Sequence, residues 1–103
     1  MLLTVDEKDA YDYEDVTVDG TAGGVALSAA KVFKIGGQAR AALITCETAD
    51  IRYRYDGGAP TSSVGHLLVA GDSITINGPG NISNFRAIRT AGVSATIRVT
   101  YHR

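Results

Sequence analysis

The last stretch of the chain, "SATIRVTYHR", alternates without a break. Ala95, Ile97, Val99 and Tyr101 share one phase, and Thr96, Arg98, Thr100 and His102 share the other. A period of two puts one set on each face of a strand, so this segment can fold only as a strand with one apolar face. "DIRYRYDG" repeats the pattern: Ile51, Tyr53 and Tyr55 fall opposite Arg52 and Arg54. Shorter segments, "DVTVDG", "GVALSAA" and "KVFKIGG", carry it more weakly, and each contains or ends in glycine or small residues. "ARAALITCET" is apolar for several residues. Its alanines permit a helix, but Ile44, Thr45 and Thr48 favour a central strand covered on both faces.

Turn signals separate these runs. Asp56-Gly57-Gly58 tolerates positive φ, and Pro60 ends the ladder that precedes it. "GHLLVAGDSITINGPG" reads as two short strands around Ala70-Gly71-Asp72, and "NISNFRAIRT" adds another. About eight strands at spacings of about 8–12 residues predict an all-β fold, a single small β-sandwich of immunoglobulin-like or jelly-roll-like type. No segment predicts an amphipathic helix. The 103 residues suit one domain.

Charge divides the chain. Residues 1–20 hold seven acids against Lys8, a net of −6, whereas residues 21–103 carry +5. The start is poor in apolar residues, which predicts an acidic arm over 1–15 and a sandwich over 16–103. With one cysteine, Cys46, no intrachain disulfide forms. The N-terminus lacks the basic and apolar regions of a secretory signal, and no apolar run reaches membrane-spanning length. The expected place of synthesis is the cytoplasm, with release by lysis.

No reaction centre stands out. His66 and His102 lie in none of the known metal or nucleophile motifs, and Cys46 sits in an apolar run like a buried, inert thiol. Asp56 and Asp72 lie beside glycines in turns and lack the further oxygen ligands of a calcium site. Neither a catalytic residue, nor a metal, nor a cofactor is expected. The arginines leave two readings, a solvated strand face or a protein contact. Nucleic acid is disfavoured, because the net charge is −1 and the tyrosines point away from Arg52 and Arg54. The residues expected to meet a partner are Asp6, Glu7, Asp9 and Asp12 of the arm, with Arg52, Arg54 and Arg98 of the sheet. Tyr53 and Tyr55 are expected in the core.

Two resemblances extend this reading. "IRYRYDGGAPTSS" resembles the I-x-Y-x-x-D-G-x-x-P-T-x-S signature of the small β-sandwich modules at the C-terminus of chitobiases, through Ile51, Tyr53, Asp56, Gly57, Pro60, Thr61 and Ser63. "RAALITCETADIRYRYDGGAPTSSVGHLLVAGDSITI" and "ISNFRAIRTAGVSATIRVTYHR" resemble small proteins encoded among the structural genes of tailed bacteriophages and prophages. The second resemblance implies a virion structural protein: a head decoration or cement protein, or a head–tail joining component. Its partners would be capsid or connector subunits and further copies of itself, with no membrane. The other function considered is a carbohydrate- or surface-binding sandwich module.

Overall fold

In the computed structural model, which describes residues 8–103, the alternating C-terminal segment forms strand β10 (Ala95–His102). Ala95, Ile97, Val99 and Tyr101 are buried, as the alternation requires. Strand β10 lies between β1 (Ala10–Val18) and β5 (Ala41–Glu47), and β8 (Ser73–Asn77) completes a four-stranded sheet in the order β1-β10-β5-β8. A second four-stranded sheet has β2 (Val25–Ala26), β9 (Arg86–Arg89), β6 (Ile51–Arg54) and β7 (His66–Leu68) in the order β2-β9-β6-β7. A small hairpin of β3 (Phe33–Lys34) and β4 (Gly37–Gln38) stands apart. Two short helices, α1 (Ala29–Val32) and α2 (Pro79–Asn84), complete the chain.

The pairing is nested. With the small hairpin set aside, β1 pairs with β10, β2 with β9, β5 with β8 and β6 with β7, all antiparallel. One long hairpin of eight strands has been wrapped so that β5 meets β10 and β6 meets β9. That strand order is the jelly roll. The fold is an all-β sandwich, as the sequence predicts.

Side chains from both sheets meet in one core. Val18, Ile44, Cys46, Ile97, Val99 and Tyr101 come from the first sheet, and Ile51, Leu68 and Ala87 from the second. Central strand β5 buries Ala42, Ile44 and Cys46, while Leu43, Thr45 and Glu47 stay half-exposed on the outer face. The expectation that both its faces are covered is corrected: the outer one is covered at Ala41 and half-open beyond it. The two helices are a second departure from the sequence pattern. Helices α1 and α2 contribute Val32 and Ile82 to the core, yet with four and six residues they are too short to show a helical period. Pro79 starts α2 without loss, because its missing N–H is at a position with no helical acceptor. Among the described residues, no helix is long and apolar enough to cross a membrane.

The expected acidic arm does not extend over residues 10–15, and its residues 1–7 lie outside the described residues. Residues 10–15 belong to β1, paired with β10 from Ala10 opposite His102 to Val18 opposite Ala95. The acids have partners inside the fold. Asp12 accepts from Lys31 at 3.2 Å and Lys34 at 3.0 Å. Glu14 accepts from the Tyr101 hydroxyl and from the backbone N–H of Ser28, at the start of α1. The short polar phase of β1 therefore fastens the edge of the sheet to the helix instead of leaving it.

The hydrogen bonds from Lys34 and from the Tyr13 N–H hold the Asp12 carboxyl at about 2, below its ordinary 3.8. A carboxylate with a lowered folded-state pKa stabilises the fold above its unfolded pKa, and that contribution is lost as pH falls through the folded value. Asp12→Asn should therefore lower stability near neutral pH. The gap to the parent should close between about pH 4 and pH 2, as denaturant titrations at several pH values would show.

Candidate protein-interaction surface

"IRYRYDGGAPTSS" builds a column of rings and a folded loop. Ile51 is fully buried. Tyr53 is half-buried and stacks on Phe85, with ring centroids 5.7 Å apart. Tyr55 continues the column outward at 6.3 Å from Tyr53, and His66 of β7 lies 5.4 Å from Tyr53 and 6.1 Å from Tyr55. The expectation that both tyrosines are core is corrected at Tyr55. That residue follows the last residue of β6 and is 38% exposed, because the sheet no longer covers it.

The loop after β6 folds back over the outer face of the second sheet. Arg54 forks onto Asp56 at 3.0 and 2.7 Å, and the same carboxylate accepts the Gly58 N–H. Gly57 takes a φ of 91°, which glycine allows at low cost. Pro60 is buried and approaches Gly24 so closely that a Cβ there would lie 3.0 Å from it. The Thr61 hydroxyl accepts the N–H groups of Ser63 and Val64. Arg52 is half-buried and donates to the Gly65 carbonyl at 3.2 Å. Thus Ile51, Tyr53, Asp56, Gly57, Pro60 and Thr61 of the motif each have a role in building this strand and loop.

The charged residues expected to meet a partner are mostly engaged within the chain. Asp6 and Glu7 lie outside the described residues. Asp9 is exposed and accepts the Arg103 N–H through its backbone carbonyl. Asp12 holds two lysines, Arg52 and Arg54 hold the loop, and Arg98 donates to Asp15, Glu47 and the Tyr13 hydroxyl. The outer face of the first sheet is therefore a belt of internal ion pairs.

A different surface lacks such pairing. The chain has 10 basic and 11 acidic side chains, yet between Asp56 and Arg86 only one of them occurs, Asp72. This run includes β7, β8 and α2. The connection from β7 to β8 has four residues, which reach about 14 Å, and packed sheets lie about 10 Å apart. The two strands are thus stacked on one flank of the sandwich. Among the described residues each is an edge strand of its sheet, β7 pairing with β6 and β8 with β5. Val64, Leu67 and Val69 are 49%, 50% and 37% exposed here, Leu67 opposite Arg52 on the outer face of the sheet and His66 opposite Tyr53 in the other phase. The opposite edge strand, β1, carries Asp12, Glu14 and Asp15. Charges commonly protect an open sheet edge from pairing; β7 and β8 themselves hold no Asp, Glu, Lys or Arg, and the acids beside them are Asp72 in their connection and Asp50, whose carboxylate accepts the Ala70 N–H.

A search of the sequence for charges and rings passes over this flank. The signal is the near-absence of charge from Gly57 to Phe85.

Two other features have less to offer a partner. A cleft of ≈ 600 Å³ lies between Gly20, Ala22, Pro60, Thr61, Ile88 and Arg89, and no aromatic side chain lines it for stacking a sugar ring. Ile35 is 98% exposed at the tip of the β3–β4 hairpin, whose carbonyls at Ile35 and Gly37 accept from Arg103. Cys46 is buried, donates to the Ala49 carbonyl at 3.1 Å, and burial pushes its thiol up to about 11. Among the described residues, no three His, Cys, Asp or Glu side chains are placed to hold a metal.

Comparison of the chain with protein-family models, curated proteins and solved structures gives no match.

Proposed function

We propose that this chain is a non-enzymatic structural protein of a tailed-bacteriophage particle. It docks through its β7–β8 flank on an assembled protein lattice, as a head decoration or head–tail joining component. The observation that carries the reading is the run from Gly57 to Phe85 with Asp72 as its one charge, which includes the last strand of each sheet, β7 and β8, and exposed Val64, Leu67 and Val69. Cores of protein interfaces are depleted in charge and enriched in tyrosine, and an apolar patch on an otherwise charged domain marks a contact site. The jelly roll serves capsid proteins and lectins alike, so the frame agrees with the reading and the flank has to support it. The phage resemblance supplies the kind of lattice.

The test is co-sedimentation of the purified protein with phage heads that lack it. Binding should saturate. Leu67→Asp should weaken it about tenfold or more, the loss of a central contact worth about 1.4 kcal/mol. Arg98→Ala should leave binding unchanged. Retention on insoluble polysaccharide with no sedimentation alongside heads would replace this reading with that of a carbohydrate-binding module.

A further inference from the structure

The two ends of the sandwich differ in charge and in shape. Residues 27–40 lead from β2 through α1 and the β3–β4 hairpin to β5, and they hold Lys31, Lys34 and Arg40 and no acid. Arg103 follows β10 at the same end. Together with Arg86 these cations outnumber Asp9, Asp12 and Glu14 beside them. The connections at the other end, residues 19–24, 48–50, 69–72 and 90–94, hold Asp19, Asp50 and Asp72 and no base. Glu47 and Arg89, which close strands there, offset each other. The basic end carries a knob. Ile35, 98% exposed, tops the β3–β4 hairpin, with exposed Phe33 below it. Arg103 fixes that hairpin: its Nη1 donates to the carbonyls of Ile35 and Gly37 at 3.1 Å each, and its guanidinium lies 4.1 Å from the centre of the Tyr11 ring. The acidic end carries a hole. The cleft of ≈ 600 Å³ is walled by Gly20, Thr90 and Gly92 of these connections and by Pro60 and Thr61 of the loop after β6. Strand β1 runs from the knob's end to the hole's, and its nine residues span about 30 Å.

We infer that a second copy of this chain docks head to tail on the first, with its hairpin tip at Ile35 seated in the cleft. This goes beyond the lattice reading, and Leu67 of β7 takes no part in it. Burial of an apolar side chain that water surrounds in the single chain drives the contact. The cleft suits its occupant. Its volume lies in the range of about 300–1,000 Å³ that encloses a group of many atoms, and its glycines allow a close approach to the backbone. Arg89 in the cleft wall does not make the hole basic, because its charge is felt by the Asp19 carboxyl nearby. Opposite charge draws the two ends together, and like charge keeps hairpin from meeting hairpin. The knob needs little ordering on binding, since Arg103 already holds it. The contact joins two different surfaces, so a bound pair still offers one free hairpin and one free cleft. Heterologous contacts of this kind add further copies, and close into a ring or run on as a filament.

Sedimentation velocity of the isolated protein at rising concentration should show species of more than two chains. Ile35→Asp changes a side chain that is almost wholly exposed, so that variant should keep its cooperative melt and associate about tenfold more weakly or worse. Gly92→Tyr fills the cleft instead of removing the knob. A Cβ at Gly92 meets nothing within 4 Å and its φ lies outside the left-handed region, so this variant should also fold and associate more weakly. Each variant keeps the surface that the other has lost. At a concentration where each alone is a single chain, an equimolar mixture should form pairs and stop there. A one-chain mass for the unaltered protein at all concentrations, an assembly that stops at two chains, or a mixture whose members stay single overturns the inference. A protein that stays single yet sediments with heads would overturn the stack alone. A stack that never sediments with heads would overturn the lattice reading alone.

Discussion

Removal of residues 97–103 should abolish cooperative unfolding. Strand β10 pairs with β1 on one side and with β5 on the other, so it is the seam of the first sheet. The deletion takes away Ile97, Val99 and Tyr101, all buried, together with the hydroxyl that donates to Glu14. It also leaves β1 with no strand partner over most of its length and exposes an edge of β5. A domain of this size is stable by about 5–15 kcal/mol, and the loss of three large buried side chains at about 2–5 kcal/mol each consumes most or all of that. Thermal melts of the truncated chain should show no sharp transition. A melt as steep as that of the full chain would contradict the placement of β10 at the seam.

Phe85→Ala should destabilise by about 3–5 kcal/mol, whereas Tyr55→Ala should cost less than about 1 kcal/mol. The contrast follows from their positions in one column of rings. Phe85 is fully buried at its base, below Tyr53, and Tyr55 ends it at the surface. Removing the base leaves a cavity under Tyr53 that the surrounding strands cannot close. Removing the tip uncovers a ring that water already reaches. Urea denaturation of the two variants measures both values, and equal losses would mean that Tyr55 belongs to the core.

The same column shows how far the sequence can be read. Strict alternation assigns the faces of β10 and β6 correctly, because one side of each strand meets the core along its whole length. It fails at Tyr55, where the phase continues but the sheet does not. It also misses that the loop after β6 lies over the second sheet. That cover explains why Ile88 is buried in the phase of exposed Arg86, and why Arg52 is only half-exposed.

The acidic start misleads for a related reason. Asp12 and Glu14 occupy the inward phase of an edge strand, where the start of α1, its Lys31 and Lys34 of β3 replace apolar neighbours. A pattern rule that expects apolar residues in that phase sees an arm. The nested strand pairing depends on contacts across the whole chain and has no local signature. The flank proposed to meet a partner is legible, but only as an absence. Charge-free runs are ordinary in cores and turns, and three-dimensional placement alone shows that Val64, Leu67 and Val69 face outward.

The central claim is that this flank, rather than the charged residues, meets the lattice. Hydrogen exchange of the protein, free and bound to heads, tests it most directly, because exchange reports which backbone segments become protected. Binding should slow exchange over residues 61–70, in β7 and the loop before it. Strand β1 and the segment around Arg98 should exchange alike in both states. Protection confined to β1 and the acidic segment before it, with the flank unchanged, would contradict the account.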